Sequence, residues 1–197
     1  MTASAKQLLK KNISKHILLT EEKADEFCEL FESRFVKKKE SLLKAGEICR
    51  FEGFVNKGLF RVYHIDRDGV DQVLYFAAED WWVTDIDSFT NERPSWLYIE
   101  ALEDAEILLI SKENKEFAYR NIPEIEKLFR IMTQKTHVFL QRRIIDNMSK
   151  TADERYIEFI ERYPQLFHRL SNLQIAAYLG ISHEFLSKIR KKISQKK

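Results

Sequence analysis

The sequence predicts an α+β protein: an N-terminal β jelly roll with flanking helices, a long central helix, and a C-terminal all-α region of short helices. Three observations carry this. Between Val36 and Ile110, short runs of β-branched and aromatic residues alternate with turn residues. From Pro123 to about Ser149, apolar residues recur at helical spacing without a break. Beyond Pro164 the chain turns basic, and two helical patterns flank Gly180.

From Lys6 to Phe35 the pattern reads as helical. Thr20 is a candidate N-cap before Glu21 and Glu22, and Ala24, Phe27, Leu30 and Phe31 fall on one face. Strands are expected at 59–65, 73–77, 97–101 and 107–110. Four of the five glycines (Gly46, Gly53, Gly58 and Gly69) punctuate that region, and Asp66-Arg67-Asp68-Gly69 reads as a hairpin turn. Lys37-Lys38-Lys39 reads as a solvated run before the first strand.

Pro123 suits the first position of the long helix, because its missing N–H and fixed φ cost nothing there. Ile125, Phe129, Met132, Thr136 and Phe139 recur about every 3.5 residues, a dimer seam in the making. The alternative is packing of that stripe against the strand region. A further helix starts at Thr151, where Thr151 and Glu154 form a capping box, and stops at Pro164. The expected partition is 1–122, 123–150 and 151–197.

Net charge is +2, but it is unevenly placed. Residues 165–197 hold seven Lys/Arg against Glu184 alone, so the rest of the chain is net acidic. A basic segment on an acidic body suits contact with an anionic polymer, and a solvated tail is the plainer alternative. No run approaches the ~20 apolar residues of a membrane span, and residues 1–12 lack the pattern of a secretion signal. A cytoplasmic protein with reduced Cys28 and Cys49 is expected, without cofactor or metal.

The informative stretch is 172–191. A helix-turn-helix needs a small residue where its helices touch and a glycine at the turn; Ala176 and Gly180 occupy those positions. Ile175, Leu179, Ile181, Leu186 and Ile189 fit the interior, Ser171 and Gln174 form a capping box, and Ser182 caps the second helix. Ser182, His183, Glu184, Ser187 and Lys188 are then the candidate readers of base edges in duplex DNA. Lys188 would donate to guanine O6/N7 and Glu184 accept from cytosine N4. Arg190, Lys191, Lys192, Lys196 and Lys197 are candidate phosphate contacts, which add affinity but no sequence information.

The order of strand-rich region, long helix and helix-turn-helix resembles the Crp/Fnr superfamily of bacterial transcription regulators. The likeness is carried by Gln174-Ile175-Ala176-Ala177-Tyr178-Leu179-Gly180-Ile181-Ser182 and by residues 186–192, Leu-Ser-Lys-Ile-Arg-Lys-Lys. Gly58-Leu59-Phe60-Arg61-Val62-Tyr63 resembles the strand after the family's glycine turn, and Ile99-Glu100-Ala101-Leu102 with Ala105-Glu106-Ile107-Leu108 its later core strands. The resemblance implies a cyclic-nucleotide-binding-like jelly roll, a dimerising central helix and homodimeric DNA binding.

Two departures stand out. Members that bind cyclic AMP carry Gly-Glu-Leu and Arg-Ser-Ala; the matching positions here are Thr84-Asp85-Ile86 and Ser95-Trp96-Leu97, with Arg93 nearby. Only Asp85 could still serve a nucleotide, so ordinary cyclic AMP binding is not expected, and the effector, if any, is unknown. The sequence also ends soon after the second helix, so a motif without a β-hairpin wing and with salt-sensitive binding is expected.

An enzyme is the first rival. The five histidines are scattered, with no His-x-His pair, nucleophile elbow or phosphate loop. A protein-docking module is the second, and a salt titration of DNA affinity separates it from a regulator. Trp81 and Trp82 read as core or interface residues. Glu100, Glu103, Asp104 and Glu106 read as solvated strand and turn residues, with an RNA polymerase contact patch as the alternative.

Overall fold

Short polar side chains start most helices of this chain. The computed structural model describes residues 2–195. Thr2 caps α1 (Ala3–Ser14) and Thr20 caps α2 (Glu21–Glu29), each accepting from the backbone N–H three residues on. Lys196 and Lys197, two of the candidate phosphate contacts, lie outside the described residues.

The strands form two four-stranded sheets. One has the order β1 (Glu32–Val36), β8 (Ala105–Ser111), β3 (Phe51–Lys57), β6 (Trp82–Val83). The other runs β2 (Ser41–Leu43), β7 (Tyr98–Ala101), β4 (Phe60–Ile65), β5 (Asp71–Ala77). Non-sequential neighbours in both sheets give the double-sheet roll expected from the strand spacing. The N-terminal helical stretch is shorter than expected: 32–36 is a strand, paired antiparallel with 105–109, and the lysine run follows it.

The chain divides into two compact units, Met1–Val62 with Phe76–Lys135, and Tyr63–Tyr75 with Thr136–Lys197. The division falls inside α5 (Glu124–Ser149), a continuous helix, and not at the expected 122/123 and 150/151 boundaries. The second unit also takes in a segment of the hairpin between β4 and β5.

In the first unit, α1, α2, α4 (Lys112–Asn121) and the start of α5 share one core with Phe54, Leu108 and Ile110 of the sheet. Trp82 meets Phe31, Phe54 and Phe129 at ring-centroid distances of 5.3–6.0 Å. Glu52 and Lys115 form a buried ion pair at 2.9 Å, with the Lys115 ammonium 4.1 Å from the Phe129 ring centroid. Burial pushes the Glu52 carboxyl up, against the pull of Lys115. Gly58 sits at φ +98°, and a Cβ there would lie 2.6 Å from the Ala105 Cβ, so this turn admits only glycine.

Ile125 and Phe129 are buried in that core, and Met132 packs against it. They cannot form a dimer seam: their apolar surface is already covered within the protomer. Here the expected alternative, packing on the strand region, holds.

In the second unit, α6 (Ala152–Arg162) opens with the expected Thr151–Glu154 capping box. A four-residue helix, α7 (Pro164–Phe167), follows. Next come α8 (Asn172–Leu179) and α9 (His183–Ser194), joined by Gly180 in the left-handed region at φ +65°.

Candidate nucleic-acid interface

Helices α8 and α9 pack through Ile175, Ala176, Leu179, Leu186 and Ile189, all buried, while Ile181 is half-buried. Ser171 accepts from the Gln174 N–H, whose side chain in turn accepts from the Ser171 N–H, and Ser182 accepts from the Phe185 N–H at 3.2 Å. Both helices of the motif are therefore capped at their N-termini by side chains, as the sequence predicts.

Two arginines fix the end of α8. Arg143 donates to the carbonyls of Leu74 (2.6 Å), Val73 (2.7 Å) and Tyr178 (2.6 Å). Arg155 donates to Leu179 O at 3.1 Å and to Lys150 O at 2.8 Å. The last carbonyls of a helix lack intrahelical partners and carry the negative end of its dipole, so guanidinium groups suit them. Burial pulls the Arg143 guanidinium below its usual range. Neither residue stood out in the sequence as a positioning group.

On α9, His183, Glu184, Ser187, Lys188 and Lys191 are all exposed. Glu184 is held below the usual glutamate range by its own backbone N–H and by Ser182. Two of the expected readers use their hydroxyls locally: Ser182 caps the helix, and Ser187 donates to the His183 carbonyl at 3.0 Å. Two expected phosphate contacts also have partners inside the protein. Arg190 bonds Asn172 and lies 5.5 Å from the Phe167 ring centroid, and so serves the packing of the motif. Lys192 pairs with Asp153 at 2.7 Å but stays largely exposed.

Of the candidate effector residues, Asp85 and Ser95 bond each other, and the others have other partners or are exposed. Asp85 is buried and caps α3 (Ile86–Asn91) by accepting from the Asp87 and Ser88 N–H groups. Its second oxygen accepts from the Ser95 hydroxyl at 2.6 Å. Thr84 donates to Phe51 O, Arg93 pairs with Asp87, and Ile86 is exposed. Trp96 is 73% exposed. The carboxylate that could have met a ribose is committed to the protein. None of these six residues lines the cleft of about 430 Å³ bordered by Cys49, Arg50, Phe89, Glu92, Ser111 and Lys112.

The acidic residues read as solvated divide in two. Glu106 is buried and accepts from Ser33 and Asn56, and Glu100 pairs with Arg61 with both side chains under 20% exposed. Neither is solvated as read: Glu106 is buried, and Glu100, on the opposite face of β7 from the buried Ile99 and Ala101, is half-buried and paired. Asp104 accepts from the Lys38 N–H. Among the described residues, no group of three His, Cys, Asp or Glu could hold a metal ion, and no helix is long and apolar enough to cross a membrane.

Residues 33–119 match the family model of the cyclic nucleotide-binding domain. No curated protein matches the sequence significantly. Among solved structures the chain is similar to CLP, a c-di-GMP responsive global regulator of Xanthomonas campestris, at 14% identity and a TM-score of 0.76, covering 90% of this chain and 93% of that one. It is similar to FixK2 of Bradyrhizobium japonicum at 19% identity and 0.75, covering 84% and 85%. A transcriptional regulator assigned to the Crp/Fnr family from Eubacterium rectale gives 17% and 0.71, covering 90% and 85%. At these identities the shared property is the fold, over nearly the whole of each chain.

Proposed function

We propose that this chain, which carries a cyclic nucleotide-binding domain and has the fold of Crp/Fnr regulators, is a homodimeric, sequence-specific DNA-binding transcription regulator and not an enzyme. The observation that carries the reading is the exposed face of α9. Glu184, Lys188 and Lys191 lie opposite the buried Leu186 and Ile189, on a helix capped by Ser182 and packed on α8, whose last turn is held by two arginines. A helix entering the major groove offers its N-terminal outward residues to base edges and its later cations to phosphates. The committed Asp85 carboxylate keeps ordinary cyclic AMP binding out of this reading.

The dimer seam is reassigned along α5. Val138, Gln141, Ile145 and Met148 are exposed and spaced three, four and three residues apart, the spacing of a coiled-coil seam. Thr136, although exposed, lies on the far side of the helix from this stripe, and Phe139 is half-buried.

Selection of duplexes from a random pool by the full chain tests the reading, followed by a salt titration on the enriched site. A regulator gives an enriched motif and an affinity that falls steeply with salt; a protein-docking module gives neither. Lys188→Ala costs about 1–3 kcal/mol at the enriched site and leaves nonspecific affinity nearly unchanged.

A further inference from the structure

We infer that Phe185 reads the C5-methyl group of a thymine in the target site, an inference that rests on the DNA-binding reading of α9. Phe185 stands in the first turn of α9, directly after Glu184. It is 45% exposed, although the adjacent Leu186 is fully buried. At 100° per residue, the buried Leu186 and Ile189 define the inner face, and Glu184, Lys188 and Lys191 the outer one. Phe185 falls at the border between the two faces, beside the buried Ile189 (i+4) and in the exposed row of Lys188 (i+3) and Lys192 (i+7).

An aromatic ring nearly half in water keeps exposed apolar area that a partner can still bury. The floor of the major groove shows hydrogen-bonding groups at every base and one apolar group, the thymine methyl. The neighbours of Phe185 on α9 cannot supply that contact. His183, Glu184 and Lys188 are polar, and the Ser187 hydroxyl is turned back to the His183 carbonyl. Hydrogen-bond readout therefore falls to Glu184 and Lys188, and apolar readout to Phe185. The ring carries no donor or acceptor, so it cannot distinguish phosphates or other base edges.

The experiment uses the full chain and the site enriched from the random pool. Each thymine in the half-site is replaced in turn by deoxyuridine, which removes the methyl and leaves base pairing intact. Affinity is measured for the wild type, Phe185→Ala and Phe185→Leu. The expected result is one or two thymines at which uracil costs the wild type about fourfold, the equivalent of about 0.8 kcal/mol per buried methyl. That loss vanishes in Phe185→Ala and is partly kept in Phe185→Leu. The inference is overturned if uracil costs nothing at any position, if it costs wild type and Phe185→Ala alike, or if the half-site contains no thymine. It also falls if Phe185→Ala weakens all duplexes equally, which would place the ring against the sugar–phosphate backbone. A pool that yields no enriched motif removes the regulator reading itself, whereas enrichment without methyl dependence removes this inference alone.

Discussion

The Arg143 guanidinium lies 3.9 Å from the ring centroid of Tyr178 while donating to the carbonyl of that same residue at 2.6 Å. One side chain thus holds Tyr178 by its face and by its backbone, and its remaining donors hold Val73 and Leu74 of an edge strand. Edge strands leave main-chain groups without a neighbouring strand, and a guanidinium fork can satisfy several carbonyls at once. Arg143→Ala is expected to lower stability by about 3 kcal/mol, since three charge-assisted bonds are lost and water replaces them only in part. Arg143→Lys recovers less than half, because one ammonium cannot span three carbonyls. Urea denaturation followed by far-UV circular dichroism measures both, since all three tryptophans lie outside this unit.

The Asp85–Ser95 bond yields a paired expectation. Asp85→Ala removes the cap of α3 and leaves the Ser95 hydroxyl without its closest partner, costing about 2 kcal/mol. Cyclic AMP titrated to millimolar concentration leaves tryptophan emission and the melting temperature of the wild type unchanged. A saturable response at micromolar ligand would show that the pocket admits the nucleotide despite this bond.

Ile145→Glu places a charge in the proposed seam, on a residue that is 53% exposed in the protomer. Sedimentation velocity should show a shift to monomer with the circular dichroism spectrum preserved. Affinity for a two-fold symmetric site should fall about 100-fold through loss of the second binding module. An unchanged dimer would place the seam elsewhere.

What the sequence disclosed, and what it hid, follows from the range of the interactions. Thr20, Thr151, Ser171 and Ser182 were legible as caps because each partner lies three residues away. The helix-turn-helix was legible for the same reason, since its core lies within 175–189. Strand β1 was not, because its residues show no period-2 burial and it exists only through pairing with 105–109. Arg143 was not legible as a positioning group, because its partners Val73 and Leu74 lie about 70 residues earlier. The expected seam took the inner face of α5 for the outer one, as two apolar stripes about one residue apart compete along that helix.

Asp66 offers a test by pH. The Val70 N–H, the Gln72 side chain and the Asp68 N–H hold its carboxyl below the ordinary aspartate value of 3.8. A depressed folded value means that the carboxylate stabilises the turn above the unfolded value, and that this is lost as pH falls through the folded one. Carbon-detected NMR titration should give an Asp66 midpoint below 3.8, with the Asp68 and Val70 amide signals moving at the same midpoint. In Asp66→Asn those amides should not titrate.

The two guanidinium groups on the last turn of α8 bear on how such a motif is inherited and engineered. Its caps are local, but the fasteners at Tyr178 and Leu179 come from α5, from α6 and, through Arg143, from a β-hairpin encoded more than a hundred residues upstream. A recombination or a graft that moves 171–195 alone carries α9 without the parts that aim it. On the proposed reading, DNA specificity would then be changed by substitution on the outer face of α9, and not by transplantation of the motif.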